Sequence, residues 1–136
     1  KKARILEVHT LASGDLKNEN NTFTFIPFKN ELQVSPISAF LEYDFNADGD
    51  NEVLVAGNYF GVSPYQGRFD SFPGALIFNE DKVVLGNKIG LDFNQKAVKK
   101  LNIIKVQNKS YVLATINNDH AQVYEFIPLK DDYKKL

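Results

Sequence analysis

Apolar and polar residues alternate with a period of two through most of this chain. That spacing suits a pleated strand with one buried face, and it conflicts with the 3.6-residue period of a helix. The stretches "ILEVHTL" (5–11) and "TFTFIPF" (22–28) alternate in this way. "ISAFLEY" (37–43) sets Ile37, Ala39, Leu41 and Tyr43 on one face. Short apolar runs follow at "EVLVAG" (52–57), "GALIFN" (74–79), "KVVL" (82–85), "LNIIKV" (101–106), "YVLATI" (111–116) and "AQVYEFI" (121–127). About nine strands are expected, each bounded by Gly, Asn, Asp or Pro. The 11 Phe and 6 Tyr favour strands as well. "NQKAVKKL" (94–101) is long enough for one helical turn, and nothing caps a longer helix. The chain reads as all-β.

The connections divide into tight and long. "NEDK" (79–82) and "QNKS" (107–110) suit hairpin turns, and "LASGDLKNENN" (11–21) reads as a polar loop. The longest irregular stretch is "NYFGVSPYQGRFDSFPG" (58–74). Loops of that length in a compact domain are usually functional or disordered. Tyr59, Phe60, Tyr65, Phe69 and Phe72 make disorder a poor description of this one.

Two stretches repeat one plan. "ISAFLEYDFNADGDNEVLVAGN" and "VKKLNIIKVQNKSYVLATINN" both run apolar strand, polar turn, apolar strand, Asn. Leu54 falls on Leu113 and Asn58 on Asn117. Each copy continues into further strands, giving a unit of about 60 residues and about four strands, as in a propeller blade. Residues 1–30 then read as the tail of a preceding blade, 31–92 as one blade and 93–136 as the next.

The first copy carries an acidic turn, "DFNADGDNE" (44–52), that the second lacks. Asp44, Asn46 and Asp48 occupy alternate positions, and Gly49 permits a sharp bend. Asp50 follows with a backbone carbonyl, and Glu52 with a further carboxylate. A loop curling round a hard cation turns alternate side chains inward, and Ca²⁺ takes about six to eight oxygens. An EF-hand would need a bidentate Glu at the twelfth position, where this chain has Val55 in a strand. Mg²⁺ keeps several waters and suits an all-protein cage less well. A plain polar turn explains the residue types but leaves the clustered carboxylates to repel one another.

On these residues the stretch "SPISAFLEYDFNADGDNEVLVAGN" (35–58) resembles an FG-GAP or VCBS-type repeat, the blade unit of integrin-like β-propellers. "LQVSPISAF" (32–40), "GNYFGVSPYQGRFDSFPGALI" (57–77) and "VLATINNDHAQVYEF" (112–126) look like the cartilage-acidic-protein-like branch of that family. The resemblance fades over residues 1–30. It implies one Ca²⁺ site, a propeller of about seven blades, and a secreted or cell-surface setting on the outer side of a bacterial envelope. About two blades and part of a third are present, so the remaining blades or another protein chain would cover the open edges. The chain has no Met and no signal peptide, which fits a piece of a longer propeller.

Composition narrows the chemistry. Net charge is −1 with pI near 6.1, and there is no basic stripe, so a nucleic-acid partner is not expected. Lys99-Lys100 and Lys134-Lys135 read as solvated surface. The absence of Cys removes disulfides, thiolate metal sites and Cys nucleophiles. No apolar run reaches the roughly 18 residues of a membrane helix, so membrane insertion is not expected.

For catalysis the candidates are thin. His9 and His120 lack metal-ligand spacing, and no Ser near the His120–Asp119 pair sits in a nucleophile elbow. Asp70, Glu80, Asp81 and Asp92 supply acids for a glycosidase pair, without a spacing that selects two of them. Arg68 and Asp70 read as a pair that shapes the long loop, with substrate contact as the alternative. Tyr59, Tyr65, Phe69 and Phe72 are candidates for a platform for sugar rings or a protein partner, or for packing between neighbouring blades.

The expected function is a non-catalytic, Ca²⁺-stabilised binding or assembly module of an extracellular or cell-surface protein, with a protein or glycan partner. The alternatives are a scaffold domain of a carbohydrate-active enzyme and a subunit of a bacterial outer-membrane complex.

Overall fold

A computed structural model describes residues 3–78 and 82–126 of the chain. Its described residues form nine strands in three open, antiparallel sheets. β1 (Gly14–Glu19) and β2 (Thr22–Pro27) make a two-stranded hairpin. β3 (Ile37–Tyr43), β4 (Glu52–Gly57), β5 (Ala75–Phe78) and β6 (Lys82–Leu85) form a four-stranded meander. β7 (Val98–Val106), β8 (Lys109–Ile116) and β9 (Gln122–Glu125) form a three-stranded one. The class is all-β, as the period of two requires.

The start of the chain differs from expectation. Residues 5–11 form no strand, and Ile5, Leu6, Val8 and Leu11 are exposed, because no neighbouring strand pairs with them. The first strand lies instead inside the supposed polar loop. It pairs with β2 across Asn20-Asn21, whose φ angles are 52° and 65°. A type I′ hairpin turn needs positive φ at both central positions, and Asn tolerates that conformation well. The proposed helical turn at 94–101 is also replaced: Val98 onward extends as β7. Residues 79–81, Glu80 and Asp81 among them, and Ile127 lie outside the described residues; Phe78 and Lys82 on either side of 79–81 are paired.

The two larger sheets share one internal register. In the first, Ile37 pairs with Gly57, then Ala39 with Ala56, Phe40 with Val55 and Leu41 with Leu54. In the second, Val98 pairs with Ile116, then Lys100 with Thr115, Leu101 with Ala114 and Asn102 with Leu113. Both ladders skip one residue at the same step, a β-bulge that adds local twist. Just outside each ladder an Asn amide donates to the carbonyl before the first strand: Asn58 to Pro36 at 3.0 Å, Asn117 to Ala97 at 2.9 Å.

The main core lies between these sheets. Ala39, Leu54, Ala56, Leu76 and Phe78 of the first pack with Val98, Leu101, Val112, Ala114 and Ile116 of the second. The Leu41–Leu54 pair therefore faces the second sheet, while its counterpart Asn102–Leu113 faces away. The sheets stack front to back, not face to face about a twofold. A second cluster covers the other side of the first sheet, where Leu32, Val55, Phe72 and Ala75 are buried against Phe28, Ile77 and Val83.

Antiparallel order divides the loops between two ends. The acidic loop 44–51 and the Gln107-Asn108 turn share one end, where the Tyr43 and Ser110 hydroxyls lie 3.3 Å apart. The long loop 58–74 and the β8–β9 connection lie at the other.

Candidate functional site

The acidic loop folds on its own side chains. Asp44 accepts backbone N–H bonds from Asp48 at 3.2 Å and Gly49 at 3.1 Å. Asn46 Oδ1 accepts from Asp48 N at 2.8 Å, and Asp48 Oδ1 from Asp50 N at 2.9 Å. Short acidic and amide side chains favour such local turns over strand ladders. Ala47 at φ 58° and Gly49 at φ 98° complete the curl. Gly49 has open space where a Cβ would stand, so conformation, not crowding, calls for glycine there.

Glu52 lies deeper, at 4% exposure. Its Oε2 accepts the Phe45 N–H at 2.8 Å and its Oε1 the Asn46 Nδ2 at 2.7 Å. It thus straps β4 to the second and third loop residues. Burial is the main cause that pushes its carboxyl above the ordinary 4.5, with Asp48 and Asp44 adding to it and the Phe45 and Asn46 amides opposing.

Asp44, Asn46 and Asp48 therefore direct oxygens at one short stretch of backbone, while Asp50 is exposed and contributes its amide to the curl. Among the described residues no three carboxylate or imidazole groups converge closely enough to hold a metal ion. The donor chemistry nevertheless suits a hard cation. Every candidate ligand is oxygen, and an oxygen that accepts one N–H keeps a second lone pair. Glu52 has both oxygens engaged by the loop, as Asp44 has, and one of its bonds comes directly from the Asn46 side chain.

At the opposite end, the long loop is fastened at its base by Asn58, which is 1% exposed. Its Nδ2 donates to the carbonyls of Phe72 (3.0 Å), Phe93 (2.9 Å) and Lys96 (3.2 Å), and its Oδ1 accepts from Phe72 N at 3.1 Å. Its φ is 74°, a conformation that Asn adopts more readily than most residues. Sequence reading marked Asn58 only as a repeat position. Beyond it, Tyr59 and Phe69 exchange both backbone bonds, at 2.8 and 3.1 Å. Ser35 Oγ also donates to the Phe69 carbonyl at 3.2 Å.

The aromatic residues of this loop separate into two groups. Phe72 is fully buried in the second cluster, on the side of the first sheet away from the second. Tyr59 and Phe69 are each 43% exposed and Tyr65 is 100% exposed. Arg68 and Asp70 do not form the expected ion pair. The Arg68 guanidinium instead stands 5.1 Å from the Phe60 ring centre, and the Asp70 carbonyl accepts Gln95 N–H at 2.7 Å. Lys99, at the start of β7, places Nζ 5.8 Å from the Tyr59 ring centre. The Asp119 carboxylate accepts the backbone N–H of His120 at 2.7 Å. His9 is exposed and lies 3.9 Å from Glu7.

The chain matches no protein-family model, no curated protein and no solved structure.

Proposed function

We propose that the chain is part of an FG-GAP/VCBS-type β-propeller and serves as a non-catalytic, Ca²⁺-stabilised binding and assembly module outside the cell or on its surface. The observation that carries this reading is the shared register of the two larger sheets together with their front-to-back stacking. Blades of a propeller repeat one sheet about an axis, so each presents its front to the back of the next. A sandwich of two sheets related by a twofold would bring equivalent residues together. The β1–β2 hairpin supports the same reading. It lies beside β5 and β6, where Ile26 and Phe28 line a cavity of about 260 Å³ with Ile77 and Val83.

In this reading Asp44, Asn46 and Asp48 hold the cation through side-chain oxygens and Asp50 through its carbonyl. Glu52 holds the loop in shape from below. The ion offsets repulsion among the carboxylates and pins the β3–β4 turn. The outer face of the second sheet corresponds to the covered face of the first. Its half-buried Ile104, Tyr111 and Leu113 and exposed Val123 would meet a further sheet, in the same protein or in a partner.

Sedimentation velocity tests the stacking. The chain is expected to self-associate with rising concentration, and Val123→Lys and Leu113→Lys to abolish that. A chain that stays monomeric at every concentration, with both variants sedimenting identically, contradicts it.

A further inference from the structure

We propose that the outer part of the loop 58–74 binds a carboxylate-bearing polysaccharide. The proposal deepens the reading of the chain as a binding module, but it depends on neither the cation nor the stacking. Its first support is rigidity without burial. Asn58 and the Tyr59–Phe69 pair fix the base of the loop, and the Gln66 N–H bond to the Ser63 carbonyl at 2.9 Å closes a turn around Tyr65, yet Tyr65 is fully exposed and Tyr59 and Phe69 are each 43% exposed. Apolar surface held in water gains nothing for folding, and rings on a fixed backbone bind with little loss of freedom.

The second support is charge. Arg68 and Lys99 each stand over a ring, and among the described residues neither has a carboxylate within ion-pairing distance. A cation above a ring keeps its outward donors. The Phe60 and Tyr59 rings face these cations, which leaves Tyr65 and Phe69 for stacking.

A uronic acid unit offers what this arrangement recognises. The C–H face of its ring stacks on an aromatic side chain, and its carboxylate meets a guanidinium or ammonium group. Two cations are too few for a nucleic-acid backbone. An added peptide strand would need free backbone groups, but Tyr59 and Phe69 use their N–H and C=O on each other.

Affinity electrophoresis of the whole chain through gels containing hyaluronan, chondroitin sulfate, polyglutamate or neutral dextran tests this. Hyaluronan is expected to retard the chain and dextran is not. Tyr65→Ala, a change at a fully exposed side chain, is expected to weaken retardation by about 2- to 10-fold. Arg68→Gln is expected to weaken it and flatten its dependence on salt. Equal retardation by dextran, a response to polyglutamate or chondroitin sulfate without one to hyaluronan, no retardation at all, or variants that behave like the parent would each overturn the proposal.

Discussion

Glu52 Oε2 accepts the backbone N–H of Phe45 at 2.8 Å, so the residue that follows the acidic loop holds the second residue of that loop. Its other oxygen accepts from the Asn46 side chain at 2.7 Å. Both partners are donors. Glu52→Gln, nearly the same size, must turn its own amide donor toward one of them. A buried donor facing a donor costs about 1–3 kcal/mol. Urea unfolding of the metal-free protein is expected to give a loss in that range with an unchanged slope.

Asn58 bonds both ends of a long connection at once and reaches Phe93 and Lys96 as well, beside the Pro73–Phe93 and Asp70–Gln95 backbone bonds. Asn58→Asp keeps the shape but replaces the amide donor with an acceptor facing three carbonyls. The expected cost is about 3 kcal/mol or more, since a charge would be buried without a partner. Hydrogen exchange should accelerate first at the amides of Tyr59, Phe69 and Phe72. Uniform acceleration over the whole chain would mean the loop is not held separately by Asn58.

Tyr124 packs edge-on against Phe93, its ring centre 5.3 Å away, and its hydroxyl donates to Gln122 Oε1. Burial, and then the charge of Asp92, raises its phenol above 10.0. The unfolded chain releases this proton at lower pH than the folded one. Stability is therefore complete below pH 10 and falls as pH climbs from there through the folded value. Tyr124→Phe removes this contribution. Its melting temperature should fall less steeply than the parent's over that interval.

Much of the architecture is legible because periodicity and burial have the same cause. Of the four residues that share a face in the sequence pattern, Ala39, Leu41 and Tyr43 meet the second sheet, while Ile37 packs on the opposite side because the bulge that follows it shifts the register. Leu54 and Leu113 hold equivalent places in their ladders, and Asn58 and Asn117 make equivalent backbone bonds just outside them. The start of the chain was harder to read. "ILEVHTL" alternates as a strand does, but alternation gives no partner, and the partner decides. β1 carries little apolar pattern, and its signal was Asn20-Asn21, a pair suited to positive φ at both turn positions. Spacing marked Asp44, Asn46, Asp48, Asp50 and Glu52 alike as candidate ligands. It did not indicate the depth of Glu52 or its bond to the Phe45 amide, which depend on how the loop folds back on β4. Nor did the adjacency of Arg68 and Asp70 indicate that Phe60 would draw the guanidinium away.

The proposal that Ca²⁺ pins the β3–β4 turn is tested most directly by thermal unfolding with saturating Ca²⁺ and with EDTA, for the parent and for Asp44→Ala/Asp48→Ala. A ligand at about 100 times its dissociation constant adds about 2.7 kcal/mol to the folded state. For a domain of this size that corresponds to a rise of about 10 °C. The parent is expected to show such a rise with Ca²⁺ and the double variant none. Identical melting of the parent in Ca²⁺ and EDTA, or an undiminished rise in the double variant, would contradict a Ca²⁺-pinned turn.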